Sequence, residues 1–119
     1  MLRNGVDIIE IERLAQISPE IRARFINRVY TESEKAICGD NNACFAGRFA
    51  AKEAVSKVLG TGIGPVSWKD IEILRGEAGE PIIILHAKAR EKANEIGIQT
   101  WSISISHSRT LAIAFVIAQ

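Results

Sequence analysis

The spacing of apolar residues changes character along the chain, from threes and fours in the first half to strict alternation at the end. The strongest helical signal covers residues 45–59, where alanine, leucine, lysine and glutamate keep helix propensity high and no proline intervenes before Pro65. Gly60 is placed to end that helix as a C-terminal cap. Ala51, Ala54, Val55, Val58 and Leu59 share one aliphatic side, whereas Phe45, Phe49, Glu53 and Lys57 recur every fourth position on another. Near the end, Trp101, Ile103, Ile105 and His107 alternate with serines, and Leu111, Ile113, Phe115 and Ile117 alternate with Ala112, Ala114, Val116 and Ala118. That period of two predicts a β-hairpin with one bulky and one small face, the small face admitting an alanine-rich helix at close range.

The remaining pattern fills in an α+β chain. Residues 4–11 read as a first strand in which Val6 and Ile8 are expected to bury while Asp7 faces the other way. Residues 10–17 read as a short helix bearing Arg13, and Ser18, Pro19 and Glu20 open a helix reaching Val29 with Ile21, Phe25 and Val29 as its apolar stripe. Thr31 and Glu34 stand at capping-box spacing, and residues 39–42 form a turn. Residues 71–74 and 82–85 read as an antiparallel pair, followed by a helix over 86–96 that Gly97 ends and that His86 begins. The expectation is one domain over residues 1–119, a mainly antiparallel sheet of about five strands packed with helices and crossed by the long one.

Composition narrows the function classes only by exclusion. With 119 residues, 47% hydrophobic, 24% charged and a net charge of +1, neither nucleic acid nor an anionic membrane is implied as a partner. The longest apolar run, residues 111–118, falls far short of the ~20 residues a membrane helix needs. Asp7, Glu10 and Glu12 interrupt the stretch where a signal peptide would be apolar, so a cytoplasmic location is expected. Cys38 and Cys44 lack metal-site or redox-motif spacing and read as ordinary thiols.

Four features carry candidate chemistry. Glu53 and Lys57 on a face shared with phenylalanines read either as a surface ion pair or as a site floor able to hold a hard cation and a phosphate. Asp7 in an apolar strand is either an edge residue in water or the partner of a metal or a base. Arg22, Arg24 and Arg28 on one helix are either a solvated face or a docking surface for an acidic partner. His107 at the hairpin tip is either a solvated bystander or a proton-transfer group. The glycines at 60, 62 and 64 follow a helix and so meet the negative end of its dipole, which excludes a Walker-type phosphate loop.

Four blocks, Gly-Val-Asp-Ile-Ile-Glu-Ile-Glu-Arg at 5–13, Arg-Phe-Ala-Ala-Lys-Glu-Ala at 48–54, Gly-Thr-Gly-Ile-Gly at 60–64 and Ser-Ile-Ser-His-Ser at 104–108, stand in the order and spacing of one family. Across almost its whole length the chain resembles the small bacterial class of 4′-phosphopantetheinyl transferases, the holo-[acyl-carrier-protein] synthases. The resemblance implies transfer of the 4′-phosphopantetheine arm from coenzyme A to a serine of apo acyl carrier protein, with release of adenosine 3′,5′-bisphosphate, in support of fatty acid biosynthesis. It implies Mg²⁺ held by Asp7 and Glu53, a pyrophosphate contact from Lys57, coenzyme A contacts from Arg48, Gly60, Gly62, Pro81 and His107, and carrier docking by Arg13, Arg22, Arg24 and Arg28. It also implies a homotrimer whose active sites are shared between neighbouring subunits. For the serine proton, His107, a metal-bound water and Glu53 acting through a water all stand as candidates. A coenzyme A-binding module without chemistry and a trimeric scaffold are the competing function classes. The chain departs from the family pattern at Arg3, where a glycine is common, and in the compact connection at 39–42.

Overall fold

The computed structural model describes residues 1–119. The elements run β1 (Arg3–Glu10), α1 (Glu12–Gln16), α2 (Pro19–Val29), α3 (Glu32–Cys38), α4 (Asn42–Leu59), a 3₁₀ turn (Trp68–Asp70), β2 (Ile71–Arg75), β3 (Pro81–Leu85), α5 (Ala87–Glu95), β4 (Trp101–His107) and β5 (Leu111–Ala118). The five expected strands form, all antiparallel, but divide into a three-stranded sheet ordered β1-β5-β4 and a β2-β3 pair. The α+β architecture stands as expected.

Local chemistry sets the element ends. Ser18 accepts from the Ile21 N–H to start α2, with Pro19 at its first position. Thr31 and Glu34 form a reciprocal capping box on α3. The long helix starts at Asn42, earlier than its periodicity implies, because the Asn41 side chain accepts from the Cys44 N–H at 3.0 Å. Gly60 ends it in the left-handed conformation, with φ +78°. Arg3 supplies a second stop: its guanidinium donates to the Val58 carbonyl at 2.8 Å, placing a cation on the negative end of the helix.

α4 lies on the three-stranded sheet and is buried on most of its circumference. Close approach depends on small residues. A Cβ at Gly5 would run into the Ala54 carbonyl and one at Gly47 would come within 2.9 Å of the Ile105 side chain, so β1 and β4 both need glycine at the contact. Ala50, Ala51 and Ala54 from the helix meet Ala114, Val116 and Ala118 from β5 in the main core. A second cluster gathers Leu14, Ile26, Val29, Tyr30, Phe45 and Ala112 under the first helices, with the Tyr30 hydroxyl donating to the Phe45 carbonyl at 2.6 Å.

Strand register corrects two expectations about faces. Ile105 pairs with Ala114 and Ile103 with Val116, so the bulky residues of β4 share the helix side with the small residues of β5. The serines of β4 point outward with Ile113, Phe115 and Ile117. Each strand has a bulky and a small side as predicted, but the pairing places them in opposition. For the same reason Val6 and Ile8 are exposed, at 50% and 57%, because Gly5, Asp7 and Ile9 take the helix side of β1. Ile21 is likewise exposed, and Ile26 replaces it in the buried stripe of α2.

Cys38 and Cys44 are joined in a disulfide that spans the turn between α3 and α4. The reading of both as free thiols is therefore corrected. The Asn41 cap starts α4 close enough to the end of α3 for the two sulfurs to meet, which sequence spacing alone does not reveal.

Candidate functional site

Asp7 and Glu53 reach the same place from different elements. β1 turns Asp7 toward α4, and Glu53 lies on the helix between the half-buried Phe49 and the exposed Lys57. Together with Ile8, Ile9, Glu10, Arg13, Phe49 and Leu111 they line a cleft of about 380 Å³. Phe45, Phe49 and Glu53 thus grade from the core into this cleft.

Lys57 does not pair with Glu53. Its ammonium instead donates to the Val6 carbonyl at 2.7 Å and to the Asp7 carboxylate at 3.3 Å, which sets aside the simple i, i+4 ion pair. Burial, and next the charge of Asp7, push the Glu53 carboxyl above its usual range, with Lys57 only partly opposing them. Asp7, Glu10 and Glu53 line this cleft against Arg13, and the nearby Lys57 ammonium reaches only Asp7 of the three, so negative charge is left in excess. No group of three or more His, Cys, Asp or Glu side chains is assembled to hold a metal by itself. The donor set fits a hard cation that takes two carboxylates and completes its shell with water and phosphate oxygens.

The sign of the Glu53 effect gives a pH test. A carboxyl whose folded pKa is raised penalises the fold when ionised, so the penalty is complete above the folded pKa and disappears as pH falls through it to the ordinary carboxylate range. Glu53→Gln is therefore expected to raise the melting temperature of the metal-free chain near neutral pH. The gain should vanish at acidic pH, as measured by thermal unfolding across a pH series. An equal gain at every pH would contradict the titration.

A second cleft of about 280 Å³ lies on another side of α4. Arg48, Pro81 and His107 line it, joined by Asn41, Cys44, Gly47, Arg75, Gly79 and Ile105. Arg48 is 7% exposed; its Nε donates to the Ile73 carbonyl at 2.9 Å and its Nη1 to the Cys44 sulfur at 3.2 Å. Burial, followed by the neighbouring Arg75 charge, lowers its pKa, so the cleft concentrates positive charge at some cost. His107 is exposed, its Nδ1 3.2 Å from the Ser108 carbonyl. Arg75 was not legible as a site residue, because only the β2-β3 register brings it beside Pro81.

The remaining predicted residues do not join either set as a group. Gly60 and Gly62 line neither cleft; Gly60 gives its N–H to the Lys57 carbonyl, and Gly62 gives its own to the Ser56 carbonyl, within the helix cap. Arg13 lies in the acidic cleft, Arg28 in a separate hollow with Trp68 and Lys69, and Arg24 is exposed. Arg22 donates from Nη2 to the Asn42 side chain at 2.6 Å and lies over the Phe45 ring.

One charged centre escaped the sequence reading. Lys52 and Glu34 are both fully buried and paired at 2.8 Å. The Lys52 ammonium also donates to the Trp68 and Ile71 carbonyls, while Glu34 accepts from the Thr31 and Ile73 N–H groups. All three ammonium protons are engaged. Position 52 shares its helical side with Val55 and Leu59, and that periodicity was the available signal for burial. His86, expected at a helix start, does stand at the N-terminal cap of α5 and sits 3.0 Å from Glu72.

The family model described as the 4′-phosphopantetheinyl transferase superfamily matches residues 3–116. The chain belongs to that superfamily. Within it, the chain is 44% identical to the holo-[acyl-carrier-protein] synthase of Herpetosiphon aurantiacus, covering 98% of each chain. It is 45% identical to that of Moorella thermoacetica, covering 100% of this chain and 94% of the relative. Among solved structures, the Helicobacter pylori holo-[acyl-carrier-protein] synthase in complex with coenzyme A superposes with a TM-score of 0.87 at 38% identity, covering 98% of this chain and 99% of that one. The Bacillus anthracis holo-(acyl-carrier-protein) synthase in complex with CoA (3′,5′-ADP) gives 0.78 at 36% identity, over 98% and 94%. Two clefts of opposite character on one helix are thus features of a phosphopantetheinyl transferase superfamily chain.

Proposed function

We propose that the chain is a Mg²⁺-dependent holo-[acyl-carrier-protein] synthase, moving 4′-phosphopantetheine from coenzyme A to a serine of apo acyl carrier protein. We place it in the cytoplasm in the service of fatty acid biosynthesis. The observation that carries the reading is the pairing of Asp7 and Glu53 in one cleft with the Glu53 carboxyl pushed up by burial and by Asp7. In the reaction the serine hydroxyl gives up its proton to a base, for which His107 and Glu53 acting through a water are the chain's own candidates, and its oxygen bonds to the phosphorus that carries pantetheine. The bond from that phosphorus to the bridging oxygen breaks, and its electron pair leaves on adenosine 3′,5′-bisphosphate. Mg²⁺ held by Asp7 and Glu53 would supply charge neutralisation on the pyrophosphate and on the departing phosphate. Lys57, already donating to Asp7, is the side chain positioned to turn to a phosphate oxygen. Arg48, Pro81 and His107 serve the coenzyme from the second cleft, and Arg13, which lines the acidic one, meets the acidic carrier together with Arg22, Arg24 and Arg28.

The separation of the clefts favours a shared site. Glu53 and Arg48 sit on different sides of α4, so one coenzyme molecule meets both kinds of cleft most directly where the acidic cleft of one subunit faces the basic cleft of the next. The outward face of the sheet supports such an assembly. Val6 opposes Phe115 and Ile8 opposes Ile113, forming an exposed apolar patch with Ile117 beside it. We assign this face to the subunit contacts of a homotrimer.

Subunit mixing tests both parts. Glu53→Gln and Arg48→Met alone should each slow carrier modification by about 10²-fold or more, and a mixture allowed to exchange subunits should regain about a quarter of wild-type activity if sites combine residues of two chains. No recovery in exchanged oligomers would contradict sharing. A wild-type chain that leaves the carrier unmodified would contradict the transferase reading itself.

A further inference from the structure

We propose that the Cys38–Cys44 disulfide is a thiol-sensitive positioning element for the phosphate-binding arginine of the second cleft; this rests on the assignment of that cleft to coenzyme A. The bridge runs from the last residue of α3 to the first turn of α4. Its two ends differ. Cys38 is 6% exposed and packs in the core under the first helices, whereas Cys44 is half-buried and lines the cleft beside Arg48. Arg48 has two internal anchors, the Ile73 carbonyl and the Cys44 sulfur. The sulfur is the anchor on the cleft side, and the bridge fixes its position.

The fold around the bridge is secured by other means. The Glu34–Lys52 pair ties α3 to α4, the Asn41 side chain caps α4, and the Arg22 guanidinium holds Asn42. Opening the bridge therefore leaves the helices in place and acts on what only the bridge holds: the Cys44 side chain in the cleft wall and the Arg48 Nη1 contact to its sulfur. A wall that is ordered before the ligand arrives binds more tightly than one that must be ordered on binding. The oxidised chain is accordingly the tighter binder of phosphate.

The reductant class is a dithiol, small or protein-borne. One of its thiolates attacks the accessible Cys44 sulfur, forming a mixed disulfide; the electron pair of the broken S–S bond leaves on the Cys38 sulfur, which takes up a proton. The second thiolate then attacks its own sulfur in the mixed disulfide and releases Cys44, which is protonated in turn. The dithiol gives up two electrons in closing to its own disulfide, and the protein bridge gains them as two thiols.

Adenosine 3′,5′-bisphosphate is the probe, because it carries two of the coenzyme's three phosphates and no thiol of its own. Its affinity is measured by titration calorimetry on the oxidised chain, the dithiothreitol-reduced chain and Cys38→Ser, with bridge state verified by thiol titration and folding by circular dichroism. The reduced chain and Cys38→Ser are each expected to bind about three- to tenfold more weakly than the oxidised chain, the scale of one weakened contact to a charged group, and Cys38→Ser should not respond to dithiothreitol. With acetyl-coenzyme A as donor, the KM for the donor should rise by the same factor while kcat and the KM for the carrier hold. A purely structural bridge would not produce that split. Equal affinity in the two redox states would overturn the proposal and leave the coenzyme A assignment standing; no binding in either state would overturn both.

Discussion

Replacing Glu53 with glutamine, or Asp7 with asparagine, is expected to lower turnover by about 10²–10³-fold, the scale of losing a preorganised electrostatic contact to a transition state. Neither change should unfold the chain. Glu53 makes no ion pair, and its burial beside Asp7 makes its charge a cost to the fold. Asp7 is engaged only with the exposed Lys57. The discriminating measurement combines carrier modification with thermal unfolding, with and without Mg²⁺. The native chain should gain stability on adding the ion, because a ligand that binds only the folded state stabilises it. Both variants should lose that gain, and Glu53→Gln should melt higher than the native chain without metal. A variant that retains full activity would remove the carboxylate pair from the chemistry.

Lys52→Met is expected to produce the largest loss of stability, about 3–5 kcal/mol, the usual result of removing one partner of a buried ion pair. The side chain that replaces it is apolar and of similar length, so the loss comes from the groups left behind. Glu34 would keep its burial without its cation, and the Trp68 and Ile71 carbonyls would lose their donor. Because these partners sit on α3, the 3₁₀ turn and β2, the effect should spread across the contact of α4 with that side of the molecule. Denaturant unfolding with an unchanged slope and a lower midpoint is the expected record. A shift comparable to that of an exposed pair would show that the network is not a structural hub.

Much of this arrangement was legible in residue order. Helix ends were readable because Ser18, Thr31 and Gly60 act on their immediate neighbours. Strand positions were readable because the alternation at the C-terminus is strict. What a strand faces was not readable, since period two defines two sides without saying which partner covers each. Val6 and Ile8 look like core until the pairing of β1 with β5 places Gly5 and Asp7 on the helix side. Residues that matter through distant contacts were also hidden. Arg75 depends on strand register, Glu34 on a lysine 18 positions away, and the disulfide on where α4 begins. The family resemblance supplied Asp7 and Glu53 together; the residues alone left each with a bland alternative.

The measurement closest to the central claim is the intact mass of an apo acyl carrier protein incubated with this chain and coenzyme A, in parallel with Mg²⁺ and with a chelator. The expected result is the gain of one phosphopantetheine group on the carrier with Mg²⁺ and an unchanged mass with chelator. An unchanged mass with several carriers in the presence of Mg²⁺, from a folded chain that binds coenzyme A, would contradict it and leave a binding module in place of a transferase.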